Sequence, residues 1–387
     1  MLLDIGVLLE RVARGIAIWG VLVALLSAIG CVGLENPLPQ PAAAPTRAPG
    51  RPNLRRGMNL GNALDAPHEG DWGVVLDEAD FSRLHAAGFD HVRLPVRFSA
   101  HASTSPPYAI DEDLLGRVDW AVAHALANDL AIIVDMHYYD ELCEEPDAQA
   151  ARFAGMWAQI AQRYRTAPES VCFELLNEPH GALTADKWNA ILQAALTVVR
   201  ASNPARTVIV EGVDWASAKS LRDTLRVPDD PAIVASFHMY QPMLFTHQGA
   251  AWMGPEFRTE GVRFPGPPSV PIAPVDAARS VAWVRNWFER YNHAPADTNP
   301  SGPVTIAEQL DMAQAFANSR RVPVYMGEFG AIDHADLASR VTWIRATRME
   351  AERRGFGWAY WDDGGGFKAY DRQRAAWVPE LLAALRQ

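Results

Sequence analysis

The chain has 387 residues, which is enough for one large domain or two ordinary ones. Its composition, 49% hydrophobic and 21% charged, is that of a soluble globular protein with a sizeable core. A formal net charge of −11 at pH 7 argues against a nucleic-acid partner, which would need a basic face. The cysteines, Cys31, Cys143 and Cys172, make no disulfide framework, and we expect Cys143 and Cys172 to be unpaired.

The first 34 residues differ in composition from the rest of the chain. Arg11 and Arg14 precede a largely apolar stretch over residues 16–34. A positive flank followed by an apolar segment is typical of an export signal or a membrane anchor. Residues 35–52 are rich in proline and alanine and are predicted to form an extended linker.

The stretch Ala28-Ile29-Gly30-Cys31 is similar to a bacterial lipoprotein cleavage site, at which the cysteine is lipidated and becomes the new N-terminus. Because Ala28 stands where leucine is usual, an uncleaved anchor, ordinary secretion and a misplaced start of the chain stay open. All but the last alternative predict that the body, residues 53–387, is exported. It would then be secreted, or lie in the cell envelope or periplasm, with membrane attachment through the N-terminus only.

After the linker, apolar strands alternate with amphipathic helices. The predicted strands cover residues 56–60, 91–95, 130–137, 171–178, 207–211, 233–238, 322–330 and 357–361. The predicted helices cover residues 77–87, 111–128, 150–165, 186–201, 276–291 and 305–319. Eight strands that alternate with helices, without a glycine fingerprint for a dinucleotide, predict a single α/β domain, a (β/α)8 TIM barrel.

Polar and aromatic side chains cluster where the predicted strands end. In (β/α)8 barrels the active site lies at the C-terminal mouth. The residues placed at this mouth are Arg93, His137, Asn177, Glu178, His238, Glu328 and Trp361. Each alone could be a core or rim residue, but seven at one end of the barrel indicate a site. The long segment over residues 241–321 is predicted to form one wall of it, with an inert surface insertion as the alternative.

Two of these residues are carboxylates, Glu178 at the end of the fourth strand and Glu328 at the end of the seventh. Glycoside hydrolysis needs two carboxylic acids on opposite sides of the scissile bond, and retaining enzymes hold them roughly 5–5.5 Å apart. The ends of strands four and seven face each other across a barrel mouth, so the two glutamates are expected to meet this requirement if their side chains reach inward. Glu174, by contrast, is predicted to be a buried structural carboxylate that needs an arginine partner, Arg56 or Arg93.

Five motifs, in order along the chain, carry a resemblance to a known family. They are Gly-Met-Asn-Leu-Gly-Asn at 57–62, His-Val-Arg-Leu-Pro at 91–95, Leu-Asn-Glu-Pro at 176–179, His-Met-Tyr at 238–240 and Gly-Glu-Phe-Gly at 327–330. Through them the body, over roughly residues 54–380, resembles glycoside hydrolase family 5, in its cellulase-like (endo-β-1,4-glucanase) part. Asn-Glu-Pro alone would be weaker evidence, because related barrel families share it.

The resemblance implies a retaining, double-displacement mechanism. Glu178 matches the acid/base and Glu328 matches the nucleophile. Arg93 and Tyr240 match the pair that hydrogen-bonds the nucleophile and keeps it ionised. His238 matches the histidine that lies near the acid/base.

Other positions are implied to bind sugar. Asn177 matches the amide that binds the sugar 2-hydroxyl, His137 matches a sugar-binding histidine, and Trp361 matches the aromatic platform under the sugar. Four more residues are weaker candidates, namely Asn59, Asn62, Trp215 and Trp252. The two asparagines, like neighbouring Asp65, would line the glycone side or merely cap a loop, and the two tryptophans would stack on sugar or simply fill the core.

We therefore expect a monomeric enzyme whose partner is a β-glucan polysaccharide or oligosaccharide. No cofactor or metal is expected, because Asp135 and His137 look like a ligand pair but have no companion ligands. β-Mannan, xyloglucan and short oligoglucosides stay open as substrates, since loops rather than catalytic residues set that choice. A non-catalytic glycan-binding barrel is a further alternative, although a binding protein would not need both carboxylates.

Overall fold

Eight parallel strands form a closed barrel in which each strand pairs with the next and the first pairs with the eighth. A computed structural model describes residues 51–386. The strands are β1 (Arg56–Asn59), β2 (His91–Val96), β3 (Ala131–Met136), β4 (Val171–Glu174), β5 (Val208–Glu211), β6 (Ile233–Met239), β7 (Val324–Phe329) and β8 (Gly357–Tyr360), and a short hairpin is formed by β9 (Tyr370–Asp371) and β10 (Ala376–Trp377). The predicted (β/α)8 barrel is confirmed. The predicted export segment, with Cys31, and nearly all of the predicted linker lie outside the described residues.

Helices connect the strands and pack against the outside of the barrel. They are α1 (Glu78–Ala86), α2 (Glu112–Ala127), α3 (Asp140–Glu144), α4 (Pro146–Arg163), α5 (Ala185–Ser202), α6 (Val213–Ala216), α7 (Ala218–Asp223), α8 (Met243–Thr246), α9 (Asp276–Arg279), α10 (Ala282–His293), α11 (Pro303–Arg320), α12 (Leu337–Arg353) and α13 (Pro379–Arg386). Within residues 51–386, no helix is both long enough and apolar enough to cross a membrane.

The starts of the first two helices follow capping signals in the sequence. The Asp77 side chain accepts a hydrogen bond from the N–H of Asp80, whose carboxylate accepts in turn from the N–H of Asp77. Asp111 caps α2 by accepting from the N–H of Asp113. Gly88, with φ of +87°, follows the end of α1 and turns the chain toward β2.

Side chains that point into the barrel form layers, because successive residues of a strand face opposite sides. One layer is apolar and consists of Ile133, Cys172, Ile209, Val234, Tyr325 and Ala359. Two residues further along three of these strands lie Asp135, Glu174 and Glu211, which are fully buried carboxylates. A charged layer therefore lies directly above the apolar layer and below the barrel mouth.

Strand β7 contains a register shift that changes the direction of Glu328. Phe237 pairs with Met326, but the next residue, His238, pairs with Glu328, so Gly327 is the extra residue. A β-bulge of this kind re-aims the side chain that follows it. Glu328 therefore points into the barrel, and Gly327 passes so close to β6 that a Cβ atom there would lie 2.7 Å from Oγ of Ser236.

Two predicted elements differ from the observed ones: one strand is shorter, and one helix is divided in two. Regular pairing of β4 stops at Glu174, so Glu178 lies in the loop beyond the strand and not at its tip as predicted. The chain nevertheless continues toward the mouth, because the N–H of Asn177 donates to the carbonyl of Met136 at 3.0 Å. The predicted helix over residues 276–291 is divided between α9 and α10, because the backbone is extended at Val281.

The long segment over residues 241–321 folds as part of the same domain. It contains α8 to α11, and Phe245 at its start packs against Trp343 of α12 with ring centroids 6.4 Å apart. Cys143 and Cys172 are buried and free, as predicted.

Candidate active site

Glu328 has a hydrogen-bond donor on each oxygen of its carboxylate. Nη1 of Arg93 donates to Oε1 at 2.7 Å, and the hydroxyl group of Tyr240 donates to Oε2 at 2.7 Å. Only 6% of the Glu328 side chain is exposed. The two donors hold the carboxylate in one orientation, and the arginine compensates its charge.

Arg93 is completely buried and donates all five of its N–H groups. Besides the bond to Glu328, it donates twice to Glu174, at 2.8 and 3.0 Å, and once each to Oδ1 of Asn59 and Oδ1 of Asn177, at 3.0 and 2.8 Å. Burial opposes the charge of Arg93, but Asp135, Glu174 and Glu328 outweigh it and raise its pKa well above the ordinary value. Arg93 is therefore a charged hub beneath the mouth of the barrel.

The prediction that Glu174 is a buried carboxylate with an arginine partner is confirmed. The partner is Arg93, whereas Arg56 pairs with Glu352 at the other end of β1. Because both oxygens of Glu174 are used by Arg93, this carboxylate is not available to a substrate.

Glu178 lies across the mouth from Arg93 and Tyr240, the two donors to Glu328, and it contacts His238. Its Oε1 is 2.8 Å from Nδ1 of His238, and that nitrogen is 3.6 Å from Oε2 of Glu328. Glu178 itself has a left-handed backbone, with φ of +48°, and its side chain is 26% exposed. One oxygen from each glutamate and a ring nitrogen of His238 all lie within 4.8 Å of one another.

Glu211 completes this group from the end of β5 and was not predicted to belong to the site. Its Oε2 accepts from the N–H of Glu178 at 2.7 Å, and its Oε1 lies 2.8 Å from Nε2 of His238, in a bent ion-pair geometry. Burial opposes charge on His238, but Glu211 and Glu328 outweigh it and raise the His238 pKa well above its usual value. Although burial also opposes charge on Glu211, the charged His238 holds the Glu211 pKa at about 2. The sequence signal was a carboxylate at the end of a buried strand, the same signal that identified Glu328.

His137 and Trp361 lie together at the ends of β3 and β8. Their rings stack with centroids 5.7 Å apart and planes 7° apart, and Nδ1 of His137 is 2.6 Å from Oδ2 of Asp135. Burial raises the Asp135 pKa to about 7 and, with Arg93, lowers the His137 pKa to about 4. His137 is therefore uncharged at neutral pH. Gly61 lies against the indole of Trp361, where a Cβ atom would come within 2.7 Å of the ring.

The three asparagines have different surroundings. Asn59 is completely buried, and its Nδ2 donates to the carbonyls of Gly327 and Tyr360, so it supports Arg93 from below and does not line the cleft. Asn177 accepts from Arg93 through Oδ1, and its Nδ2 has no hydrogen-bond partner within residues 51–386. Asn62 is partly exposed, and its amide donates to the buried carboxylate of Asp362.

Three exposed tryptophans surround the mouth. Trp215 is 58% exposed and stacks on His180, with centroids 5.0 Å apart and planes 11° apart. Trp252, in the long segment, is 64% exposed, so neither tryptophan fills the core. Trp72, which the sequence analysis did not single out, is exposed and meets the edge of Tyr138, whose ring packs in turn on His137.

Within residues 51–386, two groups of side chains have the spacing of metal ligands. His238 lies with Glu174 and Glu211 in one group, and with Glu178 and Glu328 in the other. A metal needs a deprotonated imidazole, whereas His238 is charged in these surroundings, and Glu174 is held on both oxygens by Arg93. The donor sets therefore fit ion pairs better than a metal, and no metal or cofactor site is assigned.

Parallel barrels of this kind have their active site at the C-terminal mouth, and a pair of carboxyl groups is the catalytic set that most glycoside hydrolases use. The family model described as Cellulase (glycosyl hydrolase family 5) matches residues 49–366. The chain belongs to this family, as its five motifs predicted, and is an O-glycosyl hydrolase by class.

Two relatives that are named as endoglucanases support the family assignment. Endoglucanase H of Acetivibrio thermocellus is 30% identical over 335 residues, which cover 85% of this chain but only 32% of that protein, so the chain spans about a third of its length. Endoglucanase C of the same organism is 27% identical over 349 residues, covering 86% of this chain and 98% of that protein.

Solved structures of Thermotoga maritima Cel5A are similar over nearly their whole length. A complex with cellobiose is 37% identical, with a TM-score of 0.76, and covers 86% of this chain and 97% of that chain. A complex with mannotriose is 36% identical, with a TM-score of 0.73 and the same coverage.

Proposed function

We propose that the protein is a retaining endo-β-1,4-glucanase in which Glu328 is the nucleophile and Glu178 is the acid/base. The proposal is carried by the spacing of the two carboxyl groups, since one oxygen of Glu178 lies within 4.8 Å of one oxygen of Glu328. Inverting glycosidases hold their carboxyl groups about 6.5–9.5 Å apart to admit a water molecule, whereas retaining enzymes hold them about 5–5.5 Å apart.

The surroundings of the two glutamates support the division of roles. Glu328 is nearly enclosed and oriented by Arg93 and Tyr240, which suits a carboxylate that must attack the anomeric carbon. Glu178 is more exposed than Glu328 and, in the described part of the chain, has only His238 on its carboxyl oxygens, which suits a group that gives up and takes back a proton.

The reaction proceeds in two displacements. In the first, Glu328 forms an ester bond to the anomeric carbon while the glycosidic C–O bond breaks; its electron pair leaves with the oxygen, which takes the proton of Glu178. In the second, a water molecule attacks the same carbon and gives a proton to Glu178 while the ester C–O bond breaks and returns its electron pair to the Glu328 carboxylate. The sugar is released with its original β configuration.

The sugar at the cleavage site is placed by Trp361 and by the free amide of Asn177. An indole ring packs well against the apolar face of a pyranose, and His137 fixes the indole by stacking on it. The Nδ2 group of Asn177 is the donor available for a sugar hydroxyl, because Arg93 occupies the oxygen of the same amide. Asn62, Trp215 and Trp252 lie further along the cleft, and Trp72 extends it beyond Tyr138.

The names of the relatives favour β-1,4-glucan as the substrate. Two of them are endoglucanases, and one solved Cel5A structure holds cellobiose. The mannotriose complex of Cel5A supports β-mannan as the alternative. The full chain should be assayed on carboxymethylcellulose, barley β-glucan, glucomannan, mannan and xylan, beside Glu328→Ala.

Activity on β-1,4-glucans that is lost in Glu328→Ala is the expected result. Activity on mannan alone would keep the mechanism and change the substrate. A wild-type chain that binds glucan without hydrolysing any of these polymers would support a non-catalytic glycan-binding barrel instead.

We also propose that the first 34 residues direct export and that the protein works as a monomer attached to the membrane through Cys31. The support is the positive flank, the apolar stretch and the similarity to a lipoprotein cleavage site. Radiolabelled palmitate should enter the wild-type protein but not Cys31→Ala. Unlabelled wild-type protein in the growth medium would point to ordinary secretion.

A further inference from the structure

Glu211 is a completely buried carboxylate with three partners at the active site. Its Oε2 accepts from the N–H of Glu178 at 2.7 Å, its Oε1 accepts from the hydroxyl of Ser236 at 3.1 Å, and Oε1 also lies 2.8 Å from Nε2 of His238. Because no part of Glu211 is exposed, it cannot touch a substrate. Any effect on the reaction must pass through these partners.

We propose that Glu211 is a positioning residue that controls proton donation by Glu178, both through His238 and through the backbone of Glu178. The proposal rests on the proposed function, in which Glu178 is the acid/base. Glu211, His238 and Glu178 lie in a row. Glu211 contacts Nε2 of the imidazole, and Nδ1 on the other side of the ring contacts the carboxyl group of Glu178.

The first effect of Glu211 is to keep His238 positively charged. The charged and titratable groups that face His238 are Glu178 after β4, Glu174 on β4, Glu211 on β5, Glu328 on β7, and more distantly Asp135 on β3. Arg93 on β2 pairs with two of them, Glu174 and Glu328. Glu211 is the nearest carboxylate to Nε2, so it is the main reason that both ring nitrogens carry protons. The Nδ1–H group then donates to Oε1 of Glu178.

This donor matters when Glu178 loses its proton. As the glycosidic bond breaks, the proton passes from Glu178 to the leaving oxygen, and Glu178 becomes a carboxylate that accepts from Nδ1–H of His238. At the same moment the charge of Glu328 is consumed by the new ester bond. His238 keeps its own proton throughout, so it stabilises the charge left on Glu178, and Glu211 provides the counter-charge that holds that proton on His238.

The second effect of Glu211 is on the shape of the loop. Glu178 has φ of +48°, in the left-handed region that residues other than glycine rarely adopt. The only side chain that accepts from its N–H within residues 51–386 is Glu211. Glu211 therefore fixes the turn that directs Glu178 back toward His238.

A purely structural ion pair would predict a different result, so the test must separate acid catalysis from stability. Glu211→Gln keeps an oxygen for the N–H of Glu178 and removes the charge. We would measure kcat/KM on phenyl β-cellobioside, whose leaving group needs a proton, and on 2,4-dinitrophenyl β-cellobioside, whose leaving group does not. For each substrate, kcat/KM reports only the first displacement, which is the step that uses the acid.

We expect kcat/KM of Glu211→Gln to fall at least tenfold on the phenyl glycoside, a part of the roughly 10²–10⁴-fold that general acid catalysis contributes. It should change less than about threefold on the dinitrophenyl glycoside. Equal losses on both substrates, or no loss on either, would overturn the proposal. Ser236→Ala, which removes one partner of Glu211 but leaves its charge, should show the same preference between the two substrates as wild type.

A second measurement does not depend on activity. It is the imidazole 15N spectrum of the full-length protein, in which the His238 signals are assigned by comparison with His238→Asn. In wild type, His238 should stay protonated on both ring nitrogens above pH 7. In Glu211→Gln, His238 should lose a proton at a lower pH than in wild type. An unchanged titration would overturn the proposal. A wild-type enzyme that hydrolyses neither glycoside, but shows this shift in the His238 titration, would contradict the proposed function and leave the pairing of Glu211 with His238 intact.

Discussion

Arg93 and Glu174 form an ion pair with two hydrogen bonds, of 2.8 and 3.0 Å, and neither side chain has any exposed surface. The pair fixes one side of the guanidinium group. As a result, Nη1 on the other side lies 2.7 Å from Glu328. The carboxylate that sequence reasoning assigned to the core thus determines the position of the group that orients the proposed nucleophile.

Removing Glu174 should therefore destabilise the protein and also reduce activity. Glu174→Ala leaves a buried cation without its main partner, and breaking a buried pair in this way costs about 3–5 kcal/mol. Urea unfolding at neutral pH measures the change in the free energy of unfolding. Asp186→Asn, which removes one member of the exposed pair with Arg226, should cost less than about 1 kcal/mol. Equal losses in the two variants would show that Glu174 is not part of a buried network.

Tyr240→Phe should lower kcat/KM without unfolding the protein. The hydroxyl group donates to the Glu328 carboxylate at 2.7 Å, and a hydrogen bond to a charged group is worth about 1.5–3 kcal/mol, or roughly 10- to 100-fold in rate. Tyr325→Phe is the matched control, because among residues 51–386 its buried hydroxyl bonds only to His91 inside the barrel. The control should lose stability and keep its activity on glucan. If both variants kept full activity, the Tyr240 hydroxyl would have no role in the reaction.

His247 should make stability depend on pH on the acid side. Burial lowers the pKa of His247 from 6.5 to about 4, so between these values the unfolded chain binds a proton that the folded protein does not. The free energy of unfolding therefore falls as pH drops from 6.5 toward 4, by up to about 3 kcal/mol for this residue. His247→Gln should lose less stability than wild type between about pH 7 and about pH 4.5 in urea titrations. Parallel curves for the two proteins would show that His247 is not buried in its neutral form.

Trp215→Ala should lower kcat/KM on polymeric substrates. Trp215 stacks on His180, which itself bonds to the carbonyl of Glu178 at 2.7 Å, so the exposed indole is tied to the loop of the proposed acid/base. Loss of one stacking contact of about 0.5–1.5 kcal/mol corresponds to roughly a 2- to 10-fold drop in kcat/KM on long glucans. Trp283→Ala, at an exposed tryptophan that packs near Phe257, should behave as wild type. A similar drop in both variants would count against a sugar-binding role for Trp215.

Much of the fold could be predicted because buried parallel strands are apolar on both faces and stand out between amphipathic helices. The direction of Glu328 could not be derived from that pattern. A strict period of two would turn Gly327 into the barrel after Tyr325, and it is the bulge in β7 that turns Glu328 inward instead. Its place at a strand end indicated one member of a carboxylate pair, but only the resemblance to a family of known enzymes assigned it the role of nucleophile.

The same limit applies to Glu211 and Asn59. Both lie at the end of a predicted strand, but the strand pattern does not identify Glu211 as a site residue, and for Asn59 it predicts a place on the glycone side of the cleft or a loop cap. Whether such a side chain reaches the cleft or stays beneath it depends on barrel register and on partners from distant strands, here His238 and Arg93. Sequence spacing contains neither piece of information.

The central claim, that Glu328 is the nucleophile of a retaining mechanism, is tested most directly by trapping the glycosyl-enzyme. The full chain would be incubated with 2,4-dinitrophenyl 2-deoxy-2-fluoro-β-cellobioside, digested and mapped by mass spectrometry. We expect one label per chain, carried by the peptide that contains Glu328 and absent from Glu328→Ala. A label on another residue, or an active enzyme that releases the α-anomer and accumulates no label, would contradict the claim.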